Sequence, residues 1–124
     1  LTAGVTYTFA VQARNKYILS DYSDVLPLLC ATLPLAPDAP TTAVSGNLAV
    51  ISWPEPNSNG SPVTGYKVYI LEHDGVTYTE ETVDCDGTDA DVIANRVCNI
   101  KLDTLIVSPY SLILNEEIWA KVLT

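Results

Sequence analysis

The 124-residue chain carries 15 acidic and 6 basic residues, a formal net charge of −9, so its surface repels nucleic-acid phosphates and anionic lipid headgroups. Its residues are 48% hydrophobic and 17% charged, a composition typical of folded proteins. No apolar run approaches the roughly 20 residues of a membrane-spanning helix. We therefore expect no nucleic-acid binding and no membrane insertion, and the length leaves room for one small domain plus a remainder.

The first 29 residues predict two strands. Tyr7, Phe9 and Val11 alternate with polar or small residues, as in a half-buried strand, and the segment 20–29 (SDYSDVLPLL) is a second extended stretch. Two strands alone cannot bury such an apolar face. We expect the strands that cover it to come from preceding residues or from another chain. The proline-rich segment 32–40 is short and stiff, as in a linker.

Residues 47–72 predict a strand, a loop and a second strand. Ala49, Ile51 and Trp53 share one face of the first strand by alternation, and Tyr66 opens the matching face of the second. The loop 54–62 between them is rich in proline, asparagine and glycine, which favour turns. Two alternating strands joined in this way, with a core-facing tryptophan, indicate a β-sandwich.

These residues resemble a known family. The segment 50–70 (VISWPEPNSNGSPVTGYKVYI) resembles the B strand, B–C loop and C strand of a fibronectin type III domain. The matching residues are Trp53, the prolines that follow it, Gly65 and Tyr66. The resemblance implies an all-β, immunoglobulin-like β-sandwich. It also implies that 1–31 are the F and G strands of a preceding module, that 32–40 is the linker, and that 41–124 is a second module without its last strand.

The second module is assigned strand by strand under this resemblance. Tyr7 takes the tyrosine-corner position of the first module, and aligning Leu1 with Leu112 places Ile118 at that position in the second. No tyrosine-corner hydrogen bond is expected there. The expected strands are A near 41–45, B near 47–53, C near 65–72, C′ near 76–83, E near 97–102 and F from about 117.

Two further stretches point to a narrower group. VDCDGTDADVIANRVCNIKLDTL (83–105) and SPYSLILNEEIWAKV (108–122) are similar to repeats in very large secreted or cell-surface proteins of ciliated protists. The similarity implies that the chain is a piece of a longer protein and belongs to an extracellular structural or adhesive tandem array. With the 13-residue spacing, it implies a disulfide between Cys85 and Cys98. The alternative is two buried free thiols, and Cys30 is left over either way.

The sequence offers little for catalysis. His73 is the only histidine and has no nucleophile in a recognised arrangement, and no phosphate loop, metal-spaced cluster or nucleophile elbow is present. We expect neither an enzyme nor a bound cofactor. The acidic loop residues are a weak Ca²⁺ candidate without EF-hand spacing, and solvated turn aspartates are the favoured alternative: Asp84, Asp86, Asp89 and Asp91. Asn59-Gly60-Ser61 is a candidate glycosylation sequon, weakened by Pro62.

One surface is a candidate interface. If Ile118, Ala120 and Val122 face the core, alternation sends the residues between them to the outside, as it does for the neighbouring C strand. The predicted apolar patch consists of Trp119, Leu123, Tyr69 and Leu71. The alternative is that these apolar residues form only a local cluster, half-covered by the aliphatic stems of neighbouring lysines.

The leading interpretation is an extracellular or cell-surface structural or adhesive module that contacts neighbouring modules or copies of itself. The alternative is a ligand-binding module of a receptor ectodomain, with the loops or the acidic turn as its site; Ca²⁺ dependence through the acidic loop is one form of this alternative. A third interpretation is an accessory domain of an enzyme.

Overall fold

The computed structural model describes residues 1–124, which are mostly β-strands in antiparallel sheets with two short helices. The all-β prediction is therefore confirmed. The chain divides into two units: the first comprises 1–33 and 58–62, and the second 34–57 and 63–124. Neither helix has the length and apolar character of a membrane-spanning segment.

The first unit contains a two-stranded antiparallel ribbon of β1 (Thr6–Phe9) and β2 (Leu26–Leu29). Tyr7 lies opposite Leu28, and Phe9 lies opposite Leu26, so apolar side chains share one face. Phe9 remains 46% exposed. The Tyr7 hydroxyl accepts a hydrogen bond from the N–H of Thr2, five residues upstream, at 2.8 Å. The ribbon thus leaves an apolar face open.

The second unit begins with a three-stranded sheet. Its strands are β3 (Thr41–Ser45), β4 (Leu48–Ser52) and β7 (Val97–Lys101), with β4 in the centre. All three lie within the predicted A, B and E ranges. The second sheet is built from β5 (Lys67–Leu71), β6 (Tyr78–Glu80) and β8 (Ala120–Leu123), with β5 in the centre. These strands lie within the predicted C, C′ and F ranges and are shorter than predicted at most ends.

One core is shared by both sheets of the second unit. β4 contributes Ala49 and Ile51, β5 contributes Val68 and Ile70, and β8 contributes Val122, all buried. The alternation in the sequence therefore identifies the inward faces. Next to β4 and β5, Trp53 and Tyr66 pack edge to face with ring centroids 5.2 Å apart and an interplanar angle of 67°. These aromatic rings close one end of the core.

Two short helices flank β7, and the strand pattern of the sequence did not predict them. Helix α1 (Ala90–Asn95) begins after Asp89, whose side chain accepts a hydrogen bond from the Asp91 N–H, and ends at Arg96 in the left-handed conformation. A second helix, α2 (Leu102–Leu105), follows β7 directly and buries Leu105. The predicted disulfide between Cys85 and Cys98 is confirmed: it joins Cys85 to β7, with Cα atoms 5.4 Å apart.

Candidate functional site on the outer face of the β6–β5–β8 sheet

The candidate interface residues meet on one face of the sheet. In the antiparallel register, Tyr69 lies opposite Lys121 and Lys67 lies opposite Leu123. The Leu71 N–H donates to the Trp119 carbonyl at 2.9 Å, which places these two side by side at the end of the ladder. Because successive side chains of a strand alternate between faces and Val68 and Val122 point inward, these residues point outward. The structure therefore brings the four predicted patch residues onto one surface.

Exposure is uneven across this outer face. Trp119 is 57% exposed and Leu123 is 45% exposed, whereas Tyr69 and Leu71 are half-buried. The open apolar area is thus concentrated on β8, at the edge of the sheet. Exposed aromatic side chains are enriched at protein interfaces.

A lysine crosses the centre of the face. The Lys121 Nζ atom lies 4.2 Å from the centroid of the Tyr78 ring and 5.8 Å from that of Tyr69. Such cation–π contacts hold the aliphatic stem of the lysine over the aromatic surface. On the same face, Lys67 Nζ is 3.8 Å from a Glu80 carboxylate oxygen. The sequence indicates a lysine stem only as the alternative to an open patch, and its pattern does not identify Tyr78 as part of this surface.

Three carboxylates of the acidic loop, those of Asp84, Asp86 and Asp89, accept hydrogen bonds within the fold. Asp84 accepts hydrogen bonds from the Thr104 hydroxyl at 2.6 Å and from the Lys101 N–H at 3.1 Å. These bonds, led by that of Thr104, lower the pKa of the Asp84 carboxyl despite its desolvation. Asp86 accepts from both the hydroxyl and the N–H of Thr88, which lowers its pKa as well. No group of three or more His, Cys, Asp or Glu side chains is arranged to hold a metal ion.

His73 belongs to a structural contact. Its Nδ1 atom lies 3.1 Å from the Glu116 Oε2 atom, and the same carboxylate accepts a hydrogen bond from the Ile113 N–H at 2.9 Å. The Ile113 bond first, and then the contact with His73, lower the pKa of Glu116. The backbone N–H of His73 also donates to the backbone carbonyl of Tyr110. His73 therefore fixes the connection that leads into β8.

The remaining candidate residues lie in the first unit. Cys30 is a free thiol of intermediate exposure. The Asn59 side-chain amide donates to the Leu33 carbonyl at 2.9 Å, and its backbone has a positive φ of 50°. The nitrogen that a glycan would modify is therefore already used in holding this loop. No protein-family model matches the chain.

Proposed function

We propose that this protein is an extracellular or cell-surface structural or adhesive module with an immunoglobulin-like, fibronectin type III-like β-sandwich, acting through protein–protein contacts. The contact surface is the outer face of the β6–β5–β8 sheet, and the partner is a neighbouring module or a second copy. The observation that carries the proposal is that Trp119 and Leu123 are exposed on a face where antiparallel sheets usually present polar residues.

Several features support the proposal. Antiparallel sheets with buried residues in one shared core are compatible with a β-sandwich. A disulfide is compatible with an oxidising compartment outside the cytosol. The open apolar face of the β1–β2 ribbon supports a tandem arrangement, because a further sheet is the natural cover for Tyr7 and Phe9. We propose that this ribbon is the end of a preceding module of the same kind.

The surface itself favours contact with another protein over contact with a small ligand. Trp119 lies on an open face, and the aromatic rings of Tyr69 and Tyr78 already pack against Lys121. An exposed aromatic anchor on a sheet face is suited to a second protein surface that buries the indole. The acidic loop is a weaker candidate for ligand binding, because Asp84 and Asp86 are already hydrogen-bonded.

The test is the self-association of Trp119→Ser compared with Val83→Ser. Val83 is 80% exposed and lies outside the outer face, so it is a matched control for removing an exposed apolar side chain. We expect Trp119→Ser to keep the thermal midpoint of the parent and to weaken self-association at least tenfold, measured by analytical ultracentrifugation. We expect Val83→Ser to behave as the parent. Equal association of all three proteins would contradict the proposed contact surface.

A further inference from the structure

The strand β8 has one bonded edge and one free edge. The Leu71 N–H donates to the Trp119 carbonyl, and Tyr69 and Lys67 lie opposite Lys121 and Leu123. Hydrogen-bonded positions alternate along an antiparallel ladder, so Trp119, Lys121 and Leu123 direct their backbone groups toward β5. Residues 118, 120 and 122 therefore direct theirs to the opposite side, where no strand pairs with β8.

An open slot runs along this free edge. At one end the Thr42 hydroxyl donates to the Ile118 carbonyl at 3.0 Å, and at the other the Thr124 hydroxyl donates to the Leu35 carbonyl at 3.2 Å. The segment 35–42 between these two anchors makes no backbone hydrogen bond to β8. A cavity of about 480 Å³ opens between residues 39–44 and residues 116–120, at the Ile118 end of this slot, and its volume is within the usual range of binding sites. Its lining includes Pro40, Thr42, Val44, Ile118, Trp119 and Ala120.

The β1–β2 ribbon of the first unit indicates what kind of strand could pair with this edge of β8. Aligning Leu1 with Leu112 places Phe9 on Ala120 and Val11 on Val122. In the ribbon, the Cys30 N–H donates to the Val5 carbonyl at 3.0 Å and the Ser23 N–H donates to the Val11 carbonyl at 2.9 Å. The odd-numbered residues of this segment therefore face β2. In this alignment, the residues of the first unit whose backbone groups bond to β2 match residues 118, 120 and 122, whose backbone groups have no strand partner.

The composition of β2 defines the occupant further. The amides of Leu26 and Leu28, which lie opposite Phe9 and Tyr7, point toward β1. The backbone nitrogen of Pro27 therefore faces the other edge of β2, and proline has no N–H to donate there. A proline in this position is compatible with an edge strand. A strand of this kind pairs on one side and resists further pairing on the other.

We propose that the slot between segment 35–42 and β8 is an acceptor site for an extended, leucine-rich partner strand with the composition of β2. The partner strand pairs antiparallel with the free edge of β8 through the backbone groups of Ala120 and Val122. It extends the β6–β5–β8 sheet to four strands and places its apolar side chains beside Val44 and Ile118. Main-chain hydrogen bonds provide the affinity, and the alternating side chains provide the selectivity.

The test uses the whole chain and a peptide of residues 23–32 with Cys30→Ser, blocked at both ends. We expect saturable binding with a dissociation constant below about 1 mM by isothermal titration calorimetry. In amide hydrogen exchange, we expect the Ala120 and Val122 N–H groups to slow at least tenfold with peptide. Exchange of Lys121, already paired with Tyr69, should change less.

Two modified peptides test the pairing without altering the protein. N-methylation at Leu26 and Leu28 blocks the amides that face β1 in the ribbon, so it should abolish binding. N-methylation at Val25 and Leu29 blocks the opposite edge, so it should be tolerated. Equal binding by both peptides, or unchanged exchange at Ala120 and Val122 with excess peptide, would overturn the proposal.

A variant pair adds a test on the protein side. Ala120→Pro removes an N–H from the free edge of β8, whereas Glu80→Pro removes one from the free edge of β6, because the Glu81 N–H is the one that donates to Val68. We expect Ala120→Pro to lose peptide binding at least tenfold and Glu80→Pro to retain it. Leu123 lies on the outer face and does not line the cavity, so Leu123→Ser should still bind the peptide.

Discussion

Gly87 lies so close to Tyr66 that a Cβ atom at position 87 would be 1.8 Å from the Tyr66 carbonyl oxygen. The Tyr66 N–H also donates to the Gly87 carbonyl at 2.9 Å. A side chain at this position would push back the start of the segment leading into β5. It would also disturb the packing of the Tyr66 ring against Trp53.

Gly87→Ala should therefore destabilise the second unit by about 3 kcal/mol, as expected when a buried contact is overpacked. The measurement is the free energy of unfolding in urea. Gly46→Ala is the matched control, because Gly46 has a positive φ of 61° but no atom within 4 Å of an added Cβ. That control should lose only about 1 kcal/mol from backbone strain. Equal losses of unfolding free energy in the two variants would show that the Tyr66 backbone can move away from the added methyl group at little cost.

Loss of the disulfide should destabilise the protein by about 3 kcal/mol, the chain-entropy value for a loop of this size. The double variant Cys85→Ala and Cys98→Ala tests this in urea, and reductant should have the same effect on the parent. Cys30→Ser is the control, since this thiol is free, and its unfolding midpoint should match that of the parent. A reductant effect of equal size in the double variant would contradict the assignment.

Replacing Lys121 with Gln should reduce stability by about 0.5 to 1 kcal/mol, because the cation over Tyr78 is removed from a half-exposed face. Lys67→Gln is the control on the same sheet. Its ion pair with Glu80 is exposed and 3.8 Å long, so its removal should change the unfolding free energy little. Equal, negligible effects would mean that the Lys121 contact contributes no stability.

Acid should weaken the fold through Asp84. Its folded-state pKa is lowered, chiefly by the Thr104 hydroxyl, so the unfolded state binds its proton more readily. The contribution is complete above about pH 5 and is lost as the pH falls below about 3.9, toward the folded pKa. Thermal midpoints between pH 7 and pH 3 should fall less steeply in Asp84→Asn than in the parent. Asp38→Asn, at an exposed carboxylate, should follow the parent curve.

The strands could be predicted because alternating apolar residues and turn-forming residues mark them within a few neighbouring positions of the sequence. Alternation identified Ala49, Ile51 and Val122 as core residues, and proline and glycine marked the loop that precedes β5. The helix α1 was missed although it carries a recognisable start: Asp89 as N-cap with Asp91 in the first turn. Six residues are too few for helical periodicity to stand out between two cysteines.

The candidate site was only partly predictable. Alternation placed Trp119 and Tyr69 on one face, but the position of Tyr78 depends on the β5–β6 register, which sequence spacing does not determine. The role of Tyr110 was also hidden. It is buried, its hydroxyl donates to the Glu80 carbonyl at 3.1 Å, and burial first and neighbouring carboxylates second raise its pKa to about 12. This contact joins residues 30 positions apart in the sequence.

Gly60 has a consequence for protein engineering. A Cβ atom there would be 2.6 Å from the Gly4 nitrogen and 2.8 Å from the Cys30 carbonyl oxygen, and its φ is +95°. Proline- and glycine-rich loop tips are the usual places to insert an affinity tag or a fluorescent label. Here the tip at 58–62 is part of the first unit's packing, so a tag there would disrupt it. The turn at Gly75, where no atom lies within 4 Å of an added Cβ, is the better insertion point.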